Sequence, residues 1–222
     1  MKRRNFMSAA AAAWLGAARA AGFSELDAAS GLRVALERGV EFAVALLGKT
    51  NGFLDNPKVR IPLPGYLSQA AQALKLIGQQ KRVDELVLAM NRAAEAAVPE
   101  GKAILMNAVK DMSVEDAKRI VTGGDTSVTD FFAAKTRQPL ALKFLPIVTR
   151  ETEKVSLADK FNAVAGQAAK LGLLKGDDAN IQRYVTGKAL DGLYLMIGEE
   201  ERKIRKDPVG TGSALLAKVF GR

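Results

Sequence analysis

The chain contains no cysteine and no histidine. Thiol nucleophiles, serine–histidine–carboxylate triads, structural zinc sites and histidine-ligated haem or iron are therefore excluded. Only hard, oxygen-ligated cations would suit the side chains that remain, and neither a metal nor a cofactor is expected. Disulfides are excluded as well. A chain of 222 residues, 48% of them hydrophobic, can still bury a core without cross-links. Aromatic residues are scarce, at 6%. The core must then be aliphatic and alanine-rich, which favours helices packed closely together.

Charge of one sign is in modest excess, +9 over the whole chain. Four of those charges, Lys2, Arg3, Arg4 and Arg19, fall within the first twenty residues, so the remainder carries +5. That balance suits contact with an anionic envelope component, lipid headgroups or acidic glycans, and equally a solvated, mildly basic surface; a small ligand is the other partner expected, and no nucleic acid is expected. Residues 1–20 read as a signal peptide. A basic start leads into an uncharged stretch from Asn5 to Ala18, and Ala18-Arg19-Ala20 fits a small-x-small cleavage site. Arg3-Arg4-Asn5-Phe6-Met7 resembles the twin-arginine export motif. The stretch is too short and too alanine-rich to remain as an anchor. The expectation is a periplasmic protein, cleaved near Ala20, with no transmembrane segment in the mature chain.

From residue 21 onward the pattern is helical, and the fold class expected is all-α: an irregular multi-helix bundle in a single domain, 21–222. Ser24 with Asp27 opens a helix, and Leu26, Ala29, Leu32, Leu36, Val40, Ala43 and Leu47 recur along one face. A Pro-containing strap follows over 49–65. Asn51-Gly52 and Asn56-Pro57 mark turns, Val59, Ile61 and Leu63 alternate, and Pro62 and Pro64 keep the segment out of any sheet interior. Helices are then expected over about 65–78, 80–98 with Val83, Leu86, Met90, Ala94 and Ala97 inward, and 99–112. Ser113 with Asp116 caps the next, which stops at Gly123-Gly124, and Asp125 or Thr126 starts another carrying Phe131 and Phe132. Pro139 and Pro146 are expected to divide the following segment. Ser156 with Asp159 caps a helix ending near Gly172. A long helix over 178–206 buries Ile181, Val185, Leu190, Leu193, Ile197 and Ile204, and a short tail helix covers 213–220.

Few residues stand out as candidate ligand contacts. Asn91 and Glu95, four apart with Arg92 beside them, project from one face of an alanine-rich helix. They could hold a polar ligand, or bridge neighbouring elements. Asp111, Glu115, Asp116 and Asp125 gather at two helix junctions, but acids in a first helical turn already complement the helix dipole, and their spacing matches no calcium loop. Gly123-Gly124-Asp125-Thr126-Ser127 could cradle a phosphate, yet a helix stop followed by an N-cap accounts for every residue. The run from Glu199 to Lys206 reads as a solvated face, with Glu199–Lys203 and Glu201–Arg205 as i,i+4 pairs. Asp191 lies among apolar residues and needs a partner such as an arginine if buried. Arg60 sits on the strap, where it could rim a groove between helices. The candidate binding residues are thus Asn91, Arg92, Glu95, Asp116, Asp191 and Arg60.

Several phrases resemble one bacterial exported family, domain of unknown function 4197. They are Gly52-Phe53-Leu54-Asp55-Asn56-Pro57 with Ile61-Pro62-Leu63-Pro64, Met90-Asn91-Arg92-Ala93-Ala94-Glu95, and Lys110-Asp111-Met112-Ser113-Val114-Glu115-Asp116-Ala117. Gly123-Gly124-Asp125-Thr126, Lys135-Thr136, Phe144-Leu145-Pro146-Ile147, Leu190-Asp191-Gly192-Leu193-Tyr194 and Glu200-Glu201 with Ile204-Arg205 follow in order. The resemblance implies a helical exported protein and no activity.

Binding or envelope support without catalysis is the functional expectation, because no familiar catalytic constellation is present. The alternatives are a carboxylate-dependent hydrolase acting on envelope polymers and an oligomeric scaffold.

Overall fold

The computed structural model describes residues 25–65, 72, 76, 78, 80–124, 126–154, 159 and 180–207. The expected leader, the Ser24 cap, Asp125, most of the helix over 65–78, the helix from Ser156 to Gly172 and the 213–220 tail lie outside the described residues. What is described is all-α, with no β-strand among it.

Helix α1 (Glu25–Leu47) carries the expected stripe, and Ala29, Leu32, Leu36, Val40, Ala43 and Leu47 are all buried. The strap follows, and beyond it come α2 (Gln80–Ala97), a single 3-10 turn (Val98–Gly101), α3 (Lys102–Lys110), α4 (Val114–Thr122), α5 (Ser127–Glu153) and α6 (Ile181–Lys206). Pro99 lies in the first turn of the 3-10 segment rather than of an α-helix, and α3 begins only after it. Asn180 caps α6 by accepting a hydrogen bond from the Arg183 amide at 3.0 Å.

One expectation fails. Pro139 and Pro146 lie inside α5, which runs unbroken for 27 residues. Each proline removes the amide that would bond the carbonyl four residues back, normally enough to kink or end a helix. Both prolines face solvent, while Phe131, Phe132, Thr136, Leu140, Phe144, Val148 and Thr152 stay buried on the other side. That continuous buried stripe spans both prolines, so packing overrides the local preference.

The core forms where α5 and α6 lie antiparallel, with α1 and α2 against them. Thr136 of α5 meets Tyr194 of α6, their oxygens 3.0 Å apart, and Arg137 meets Asp191 one turn earlier along α6. Burial pushes the Tyr194 phenol above its ordinary pKa, opposed by the hydrogen bond to Thr136. Elsewhere Arg33 on α1 donates to the Met112 carbonyl at 2.5 Å, tying α1 to the α3–α4 turn.

The charged run at the end of α6 also departs from expectation. Glu201 is buried, because that side of α6 faces α1, where Ala35 and Ile204 form a small apolar cluster. Glu199 pairs with Lys58 of the strap at 2.8 Å, and Lys203 pairs with Glu200 while stacking over Phe42. Among the described residues no helix is long and apolar enough to cross a membrane.

Candidate functional site

The six candidate residues fall into three separate places and one exposed position. The first place is the strap's seat. Asn91 is fully buried, and its side-chain oxygen accepts from the Ile61 amide at 2.9 Å. Its nitrogen donates to the Ile61 carbonyl at 3.0 Å and to the Val87 carbonyl at 2.8 Å. One side-chain amide therefore pairs with both backbone groups of a single strap residue, as a neighbouring strand would. Glu95 lies one turn further along α2 and is only 4% exposed. Its carboxylate accepts the amides of Asn51 (3.2 Å), Phe53 (3.0 Å) and Leu54 (3.2 Å). Arg92 completes the group, pairing with Glu95 and donating to the Asn51 side chain, both at 2.5 Å.

This seat explains the local sequence. A buried carboxylate needs compensating donors, and the turn through Asn51, held at φ 67°, aims the amides of Asn51, Phe53 and Leu54 at it while that of Gly52 bonds the Lys49 carbonyl. Gly52 is required by close approach. A Cβ there would lie 2.4 Å from the Leu46 carbonyl oxygen and 2.6 Å from that of Leu47. Phe53 is then buried against Gly192 of α6, whose own Cβ would sit 2.9 Å from the ring. The strap continues along α6, with Lys58 at Glu199 and the Tyr184 hydroxyl donating to the Pro62 carbonyl at 3.1 Å. Val59 and Ile61 face inward while Arg60 and Pro62 face outward, as the alternation implied. Asn91, Arg92 and Glu95 thus bridge elements of this chain. Arg60 is exposed and lines neither the cleft between α4 and α5 nor the groove between α5 and α6.

The second place is a cleft of about 590 Å³ between α4 and α5. Asp116 closes a capping box with Ser113, accepting from its amide at 3.2 Å and its hydroxyl at 2.9 Å. Arg119 at 2.6 Å and Lys135 at 3.6 Å flank it. Burial alone would raise this carboxyl's pKa. The Ser113 hydrogen bonds, the Lys135 charge and the Arg119 hydrogen bond together outweigh that and hold it below the ordinary aspartate range. Ser127, Asp130 and Phe131 complete the lining. Of the acids at these junctions Asp125 lies outside the described residues, and among the described residues no group of three could hold a metal ion. At the glycine pair, Gly123 ends α4 as expected, and the Ser127 hydroxyl bonds the Ile120 carbonyl at 3.0 Å. The expected cap is not formed by Thr126, which makes no side-chain cap hydrogen bond at the start of α5 and bonds Asp130 instead, while Asp125 lies outside the described residues.

The third place is a groove of about 610 Å³ between α5 and α6. Gln138, Ala141, Leu142 and Leu145 form one wall, and Tyr184, Thr186, Gly187, Lys188 and Asp191 lie along the other with Arg183. Asp191 is half-exposed rather than buried, and Arg137 neutralises it at 2.7 Å while stacking over the Tyr194 ring. Leu142 is 71% exposed. Thr186 is only 5% exposed, and its buried hydroxyl has no hydrogen-bond partner. Beside it, a Cβ built on Gly187 meets nothing within 4 Å.

Apart from Asp191, sequence reasoning missed this groove. The expected break at Pro139 hid a continuous wall over 138–145. The available signal was Thr186-Gly187 in the second turn of an otherwise apolar-striped helix. No curated protein and no solved structure matches the chain. The family described as "Protein of unknown function (DUF4197)" matches residues 22–221, and the chain belongs to that family.

Proposed function

We propose that the protein is an exported periplasmic binding protein without catalysis, and that the α5–α6 groove is where it binds. The observation that carries the reading is Gly187. A glycine in a helix interior costs roughly 0.5–1 kcal/mol relative to alanine, and no neighbour within 4 Å requires one here. What the glycine does supply is open space on the groove floor, next to a buried hydroxyl without a partner. A volume of about 610 Å³ lies within the range of small-molecule sites. Export by the twin-arginine route rests on the Arg3-Arg4 leader, and the groove neither adds to nor subtracts from it.

Two measurements test this. Native mass spectrometry of protein purified from the periplasm should find a retained small ligand that is lost in Gly187→Leu and in Leu142→Asp. A ligand-free wild type, or a ligand equally retained by both variants, would overturn the groove as the site. Changing Arg3 and Arg4 together to lysine should leave the protein in the cytoplasm, and normal export of that variant would remove the twin-arginine step.

A further inference from the structure

We infer that the groove takes a single-chain anionic amphiphile, its chain laid along Ala141, Leu142 and Leu145 and its acidic head at Lys188. This rests on the groove being the binding site and adds the chemistry of the ligand. One wall is apolar and open, with Leu142 exposing most of its side chain to solvent. An apolar surface of that kind beside a polar flank favours a ligand that is apolar at one end.

The polar flank is positive. Among the described residues of the lining Asp191 is the one carboxylate, and Arg137 already neutralises it. Lys188 has no carboxylate partner among the described residues. Its ammonium stands 5.9 Å from the Tyr184 ring centroid, the outer edge of cation–π range, which leaves it available to an anion. Between Arg183 and Asp191 the helix rises about 12 Å, a length that suits one chain of moderate size.

The test is calorimetric titration of protein purified from the periplasm with decanoate, decanol and decylammonium, each below its micelle concentration, and with inorganic phosphate. Decanoate should bind at one per chain, decanol about fivefold more weakly, which is the scale of one partly exposed ion pair, and decylammonium more weakly still. Lys188→Gln should bring decanoate down to the level of decanol and leave decanol unchanged. Gly187→Leu, which fills the floor, and Leu142→Asp, which alters an exposed side chain and cannot unfold the core, should both remove binding of all three.

Decanol or decylammonium binding as tightly as decanoate, with loss in Gly187→Leu, would overturn the anionic head while keeping the groove. Phosphate matching decanoate would overturn the chain. Absence of any binding by the decyl series, or binding that survives both groove variants, would overturn the groove itself.

Discussion

Replacing Asn91 by alanine asks whether that residue serves this chain or a ligand. The amide bonds both backbone groups of Ile61, at 2.9 and 3.0 Å, in a fully buried setting. Its third bond, to the Val87 carbonyl, supplements a carbonyl that the helix can already satisfy. Alanine would leave the Ile61 N–H and C=O without partners, at roughly 1–3 kcal/mol each. Strap relaxation and entering water recover part of that, so a net loss of about 3 kcal/mol is expected. In a chain of this size each kcal/mol moves Tm by roughly 2–4 °C, and the midpoint should fall by about 6–12 °C. Far-UV circular dichroism reads the midpoint, and trypsin cleavage after Lys58 and Arg60 should accelerate as the strap lifts. Glu95→Ala should behave alike. Because both residues hold one strap, the double variant should lose less than the two singles added. A midpoint within about 1 °C of the wild type, or strictly additive losses, would refute the strap-holding role and return Asn91 and Glu95 to the ligand candidates.

The other predictions concern the groove and Asp116. Gly187→Ala should raise Tm by roughly 1–4 °C, from about 0.5–1 kcal/mol of helix preference. A fall on thermal melting would show that a neighbour needs the glycine. Thr186→Val should stabilise the protein by about 1 kcal/mol in urea titrations, since it removes a buried hydroxyl that has no partner; a loss there would mean that the hydroxyl is bonded. Asp116 has a lowered pKa, so its contribution is fully present above the ordinary aspartate value and disappears as pH falls through the folded-state value. Asp116→Asn should therefore be least stable relative to wild type at neutral pH, and the two Tm curves should converge as pH drops below about 4. A gap that stays constant with pH would show that the carboxylate's charge is not what holds the α4 cap.

Elements defined by periodic burial were legible in the sequence. The stripes of α1, α2 and α6 are buried as the spacing of Leu32, Leu36 and Val40, of Leu86 and Met90, and of Val185, Leu193 and Ile197 required. Asp116 with Ser113 was legible too, because a capping box depends on residues three apart. The α5 prolines were misleading because the energy that overrides them comes from a stripe packed on other helices, which local preference does not contain. Asn91 and Glu95 were visible as a polar pair on a small-residue helix. That their partners are strap backbone groups, 30 residues away for Asn91 and 41 to 44 for Glu95, is a tertiary fact, and the positive φ at Asn51 was the nearest local trace of it.

The two polar regions differ in a way that separates structure from binding. At the strap seat the donors and acceptors are matched: Asn91 uses both ends of its amide, and Glu95 takes three backbone amides and an arginine. Evolution of a stable bridge ends in such saturation, since any orphan there costs stability with no return. The groove shows the reverse. Pro139 lies within its α5 wall and Pro146 just beyond it, and Thr186 and Gly187 sit in the second turn of the helix on the other side, one with an unmatched hydroxyl and one without a side chain. Each departs from what its helix prefers, and among the described residues no contact compensates Thr186 or Gly187. Local rules broken together in one small region mark function more often than chance. By that criterion the groove is the place to look for a ligand, and the more conspicuous charged pair on α2 is not.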